Sequence, residues 1–116
     1  NIALQAGFDL ILEIDWQGAA QVRSIYAQSI SIFILPPSID ALATRLNSRN
    51  LDSTEVMNQR LAAAREEMRH VVEFDYVTIN DNFDVALQDL MAIIRTHRLK
   101  VSIQMQRYAA LVQALT

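Results

Sequence analysis

The chain has 116 residues, of which 52% are hydrophobic and 20% charged, the profile of one soluble globular unit with a sizeable core and not of a disordered tail. A formal net charge of -3, with no local basic patch, gives no long-range attraction for polyanions and argues against a nucleic-acid partner. With no cysteine there is neither a disulfide framework nor a thiolate metal site, a composition that suits a reducing cytosol, and the apolar runs are too short to span a bilayer.

The first residue is Asn1, and the expectation is that the chain starts at an internal cut. Phe8 to Trp16 is a nearly continuous apolar run with its acids at the far end, which predicts a central strand buried on both faces. Ser31 to Leu35 repeats the pattern and is stopped by Pro36 and Pro37, after which Ser38 is a natural N-cap and Asp40 a first-turn acid. A helix over about Ile39 to Asn47 follows, then a polar loop over 48–52. A second helix is expected to start where Asp52 and Glu55 have capping-box spacing and to reach about Val72, with Val56, Arg60, Ala64 and Met68 on one line. Tyr76 to Ile79 predicts a third buried strand, ending at Asn80 and Asp81. Alternating strands and helices imply a parallel sheet covered on both faces, because parallel neighbours cannot be joined by a tight hairpin.

From Phe83 to Leu115 there is no proline or glycine, so one long helix or two abutting ones would extend about 50 Å at 1.5 Å per residue. The apolar stripe of Phe83, Leu87, Leu90 and Ile94 lapses at Thr96 to Lys100 and resumes at Val101, which predicts a bend near His97. Two readings stay open for this region: helices packed on the core, or a protruding segment that pairs with another subunit.

Ligands of open parallel sheets lie beyond the carboxyl ends of the strands, where Glu13 with Asp15, Ser38, and Asn80 with Asp81 are expected. On a strand, Glu13 and Asp15 would project from one face and accept hydrogen bonds from a base or reach a metal through water; the other reading is helix capping or solvation. Arg45 and Arg49 are four residues apart at a helix end, a like-charge pair that an anion would stabilise, and Arg60 stands across the loop. Planar guanidinium groups suit phosphate oxygens, so the three arginines read as a lid; the alternative is a solvated face paired to Glu55, Glu66 or Glu67. His70 and His97 have no partner at metal-ligand spacing and are given no role, while Trp16 and the four methionines read as packing residues. No G-x-x-x-x-G-K-[ST] occurs: the glycines are Gly7 and Gly18 and the one lysine is Lys100.

The segment Leu12-Glu13-Ile14-Asp15-Trp16-Gln17-Gly18-Ala19 resembles the guanylate kinase strand and turn of form L-[DE]-I-D-[WMV]-Q-G. Ser31 to Ser38, Arg45 to Arg49, Asp52-Ser53, Gln59-Arg60-Leu61, Asp75-Tyr76 and Ile79 to Asp84 continue in that family's order. The resemblance covers essentially the whole chain. It implies a partial α/β P-loop kinase fold, a parallel sheet flanked by helices with a helical lid. Residues 1–116 would be the C-terminal part of one domain, with a lid at about 45–65 and C-terminal helices at 83–115. It further implies ATP-dependent phosphorylation of GMP to GDP in a cytoplasmic full-length enzyme. Asp15, supported by Glu13, would hold the guanine; Arg45, Arg49 and Arg60 would close over the phosphates; Asn80 would lie near the adenine. Magnesium would accompany ATP, its ligand and the phosphate-binding loop lying in segments that precede Asn1 in the family, so this portion by itself is expected to be inactive. The departures are Glu13 for Asp, and Asn50 and Asn82 for Gly and Asp. The competing reading is a guanylate kinase-like module that binds proteins without catalysis. A homo-oligomer through an exposed sheet edge or the C-terminal helix is also expected.

Overall fold

The computed structural model describes residues 11–47 and 53–116. The chain divides into two compact units, Ile14–Ala86 and a second made of Asn1–Glu13 with Leu87–Thr116.

The first unit is built around two short parallel strands, β1 (Ile32–Leu35) and β2 (Tyr76–Ile79), in the register Ile32–Tyr76, Phe33–Val77, Ile34–Thr78 and Leu35–Ile79. The pair is clasped where it begins. Asp75 Oδ2 accepts from Ser31 N at 2.9 Å and from Ser31 Oγ at 3.2 Å, while Asp75 N and Tyr76 N both donate to the Ser31 carbonyl. At the other end Asn80 N donates to Leu35 O at 2.8 Å. Phe33 is buried and meets Phe74 edge-to-face with centroids 5.0 Å apart, and the Arg23 guanidinium lies over the Phe74 ring. Ala19 and Ala86 are the other buried apolar residues among those described. Thr78 is the buried polar one; its backbone is in the ladder, and its Oγ1 has no hydrogen-bond partner.

Helix α1 (Trp16–Ile25) starts where Asp15 leaves the extended region and caps Gly18 N. Helix α2 (Ile39–Leu46) is capped by Ser38, whose Oγ accepts from Ala41 N, with Asp40 in its first turn as expected. Helix α3 (Thr54–Arg69) packs against α2 and ends in a tight turn over His70–Glu73. Along its stripe Val56 and Arg60 are exposed, whereas Ala64 and Met68 are half-buried.

Three expectations are corrected here. Residues 11–15 form no strand, and Trp16 opens a helix; Phe8 to Leu10 lie outside the described residues. An apolar run becomes a strand only when a neighbour takes up its N–H and C=O groups, and β1 and β2 are hydrogen-bonded to each other instead. The cap of α3 is Ser53, whose Oγ accepts from Val56 N at 3.2 Å, rather than the Asp52 and Glu55 pairing; Asp52 lies outside the described residues. The sheet is not covered on both faces, since Ile34, Val77 and Ile79 are 52%, 49% and 48% exposed.

Helix α4 (Phe83–Arg98) begins in the first unit, where Asn82 Oδ1 accepts from Val85 N, and continues into the second. There the expectation of one or two helices also gives way, because α5 (Val101–Arg107) and α6 (Ala109–Leu115) follow. The first break falls close to the expected bend. Leu99 N and Lys100 N bond three residues back, to Thr96 and His97, and extended Lys100 restarts the helix by accepting from Ile103 N and Gln104 N. The second break, at Tyr108, comes where φ of -113° and ψ of 33° leave the helical region. No described helix is long and apolar enough to cross a membrane.

Candidate functional site

Asp15, Ser38, Arg45, Arg60, Asn80 and Asp81 all belong to the first unit. Asp15 is exposed and gives Oδ1 to Gly18 N at 2.8 Å. Gly18 is what allows the approach, since a Cβ there would stand 3.3 Å from that oxygen and 3.1 Å from Ile14 Cβ. The capping role that strand-end acids often have is therefore real for Asp15. Glu13 is exposed in irregular backbone, so the alternation that would have put both acids on one face of a strand does not operate.

Arg45 and Arg60, the two described arginines of the expected lid, both donate to main-chain oxygen. Arg45, in the last turn of α2, donates from Nη2 to the Asn80 carbonyl at 3.0 Å, which joins two residues that the sequence had offered separately. Arg60 donates from Nη1 to the Leu46 carbonyl at 3.2 Å, one of the terminal acceptors that α2 cannot satisfy internally. Arg49 lies outside the described residues. Of the acids named as possible partners, Glu66 pairs with Arg69 at 2.7 Å and approaches His70, while Glu67 accepts from Trp16 N. Two guanidinium groups thus donate to main-chain carbonyls around the end of α2, which sets where they stand. Such an arrangement can take an anion. Asp81 is exposed beyond β2, and Ser38 is committed to its cap.

Sequence reasoning gave His70 no role, yet it is stacked on Trp16 with ring centroids 3.5 Å apart and planes 7° from parallel. The sequence shows only that Glu66 and Glu73 stand four and three residues from His70, within reach of its ring, and nothing in that spacing points to Trp16. Among the described residues no group of three His, Cys, Asp or Glu side chains is arranged to hold a metal ion, so a magnesium ligand set does not fit the described residues, and no step is assigned to it.

The family described as guanylate kinase matches residues 2–97. This chain belongs to the guanylate kinase family. It is 68% identical over 115 residues to a guanylate kinase of Methylobacillus flagellatus, covering 99% of this chain and 57% of that protein. It is 56% identical over 112 residues to one from Xanthomonas euvesicatoria, covering 97% of this chain and 55% of that protein. A crystal structure of guanylate kinase from Anaplasma phagocytophilum superposes with a TM-score of 0.73 at 26% identity, over 92% of this chain and 54% of that one. The architecture is accordingly part of the α/β P-loop kinase fold, and the chain spans about half the length of the guanylate kinases it matches.

Proposed function

We propose that the full-length protein containing this chain is a cytoplasmic guanylate kinase that transfers the γ-phosphoryl group of ATP to GMP. The observation that carries the reading is the pair of lid arginines, Arg45 and Arg60, both held by main-chain carbonyls around the end of α2 in a chain of this family. In the proposal the lid occupies about residues 45–65, and Arg45, Arg49 and Arg60 close over the phosphates. Phosphoryl transfer asks mainly for positioning and for charge placed where negative charge spreads, and fixed guanidinium groups supply both. The exposed Asp15, aided by Glu13, accepts from the guanine N–H groups, and Asn80 borders the adenine. Magnesium would accompany ATP and neutralise phosphate charge, held by residues other than those described. The 116-residue chain lacks a G-x-x-x-x-G-K-[ST] cradle and is inactive by itself in this reading. It also self-associates through the exposed strand pair or the C-terminal helices.

The test is a coupled assay of GMP phosphorylation by the full-length protein, by this chain, and by the full-length Arg60→Ala variant. Activity in the first, none in the second and a loss of roughly 10²- to 10³-fold in kcat in the third is the expected result. A folded but inactive full-length protein would instead assign it to the protein-binding modules of the family.

A further inference from the structure

The N-terminus of α1 is satisfied by two carboxylates of different origin. Asp15 caps Gly18 N locally, and Glu67, 51 residues from Trp16 in sequence, reaches over from α3 to accept from Trp16 N at 3.0 Å. First-turn N–H groups have no partner inside their own helix, and the positive end of the helix favours an anionic acceptor. The same junction is held a second time by the stack of Trp16 on His70. That imidazole cannot turn freely, because Nδ1 is bonded to Glu73 Oε2 on one side and Glu66 Oε1 stands 3.7 Å from Nε2 on the other. Both contacts fix the residue that immediately follows Asp15.

Glu67 and Arg60 are seven residues apart on α3, two turns and about 10 Å, and so lie on one face of the helix. Helix α3 is a stiff rod with Arg60 towards its beginning and the grip on Trp16 near its end. We infer that Glu67 is a positioning residue, which through Trp16 N sets the distance between the Asp15 carboxylate and the arginine-bearing helix. This rests on the proposed function for the roles of Asp15 and Arg60, while the tie itself does not depend on it. Asn80, bonded to Arg45 and Leu35, makes none of the contacts of the tie, so the KM for ATP is expected to be unaffected by it.

Two measurements test the inference. In the full-length protein, Glu67→Ala raises the KM for GMP about tenfold with the KM for ATP within about twofold, and Glu67→Gln, which keeps the accepting oxygen, stays within about twofold of the unsubstituted protein on both. No rise, or an equal rise for both substrates with a lowered Tm, overturns the positioning role and leaves Glu67 a residue of stability alone. The second measurement needs no activity: Trp16 is the one tryptophan of this chain, so its emission reports the junction. In the 116-residue chain, Glu67→Ala and the shortened Glu67→Asp shift that emission to longer wavelength and increase its quenching by acrylamide, and Glu67→Gln does neither. Unchanged emission in all three overturns the tie. An unsubstituted full-length protein that phosphorylates no GMP, in the presence of these emission shifts, overturns the proposed function and with it the role of Glu67 towards the guanine, but not the tie.

Discussion

Arg45 Nη2 and the carbonyl oxygen of Asn80 are 3.0 Å apart, which bonds the last turn of α2 to the residue that closes β2. The contact is exposed, so its worth to stability is small, about 0–1 kcal/mol. Its effect on a nucleotide is expected to be much larger. Arg45→Ala in the full-length protein should lower kcat for GMP phosphorylation by roughly 10²-fold with little change in Tm, and Arg45→Lys should recover only part of it, because an ammonium cannot reproduce the planar fork. Steady-state kinetics beside thermal melts separate the two effects.

Stability is expected to respond instead at the Ser31–Asp75 clasp, where one carboxylate oxygen accepts from both the N–H and the hydroxyl of Ser31. Asp75→Ala should cost about 1–2 kcal/mol, at the low end for bonds to a charged group because the site is exposed. Ser31→Ala removes one of the same bonds, so the double variant should fall short of the sum of the singles. Urea unfolding of the four proteins measures this.

Gly18 offers a variant in which two effects oppose each other. Alanine would gain up to about 1 kcal/mol in helix propensity, but its Cβ would crowd Ile14 Cβ at 3.1 Å and Asp15 Oδ1 at 3.3 Å. Ile14 is 46% exposed and can move aside, so Gly18→Ala should leave stability within about 1 kcal/mol of the parent. The capping carboxylate must shift by a few tenths of an ångström, and the KM for GMP should rise several-fold.

Self-association is the expected outcome of what the second unit leaves in water. Leu99, Val101 and Leu115 are 67%, 70% and 75% exposed, more apolar surface than a small unit usually shows. Light scattering of the chain over a concentration series should report an increasing mass, and Val101→Lys with Leu115→Lys should suppress it. A compact monomer at the highest concentration would refute the expectation.

The elements read correctly from sequence were those whose signals are local. Ser31 to Leu35 before two prolines, the Ser38 cap with Asp40, and Tyr76 to Ile79 each carry start, period and stop within a few residues. What failed depends on partners. Ile11 to Asp15 has the composition of a buried strand, but composition does not supply the neighbour that would bond its backbone. Ser53 displaced Asp52 as the cap of α3 by one position, a choice between two good capping residues that spacing alone does not settle. The break at Lys100 was visible as a lapse in the apolar stripe, whereas that at Tyr108 falls inside a run with no glycine, proline or change of period.

At the site, the types of residue were legible and their partners were not. Asp15 and Arg45 stood out by charge and position, but that Arg45 would settle on the carbonyl of Asn80, and Arg60 on that of Leu46, is set by how α2 and α3 return to the sheet. His70 was passed over because it lacked a ligand pattern, and stacking on Trp16, 54 residues earlier in the chain, leaves no trace in local spacing.

The parallel register of β1 and β2 has a bearing on how the chain acquires its structure. Ser31 and Asp75 are 44 residues apart, so the clasp forms only after α2 and α3 have closed a loop of that length, which costs roughly 3 kcal/mol in chain entropy by logarithmic scaling before any ladder bond is gained. Helices of local contacts form in microseconds, but this pairing must wait for a long-range encounter. Refolding should therefore be paced by the meeting of Ser31 with Asp75, and a circular permutant opened between α2 and α3 would leave these two connected only through the joined termini, by a longer stretch of chain, and slow that meeting further.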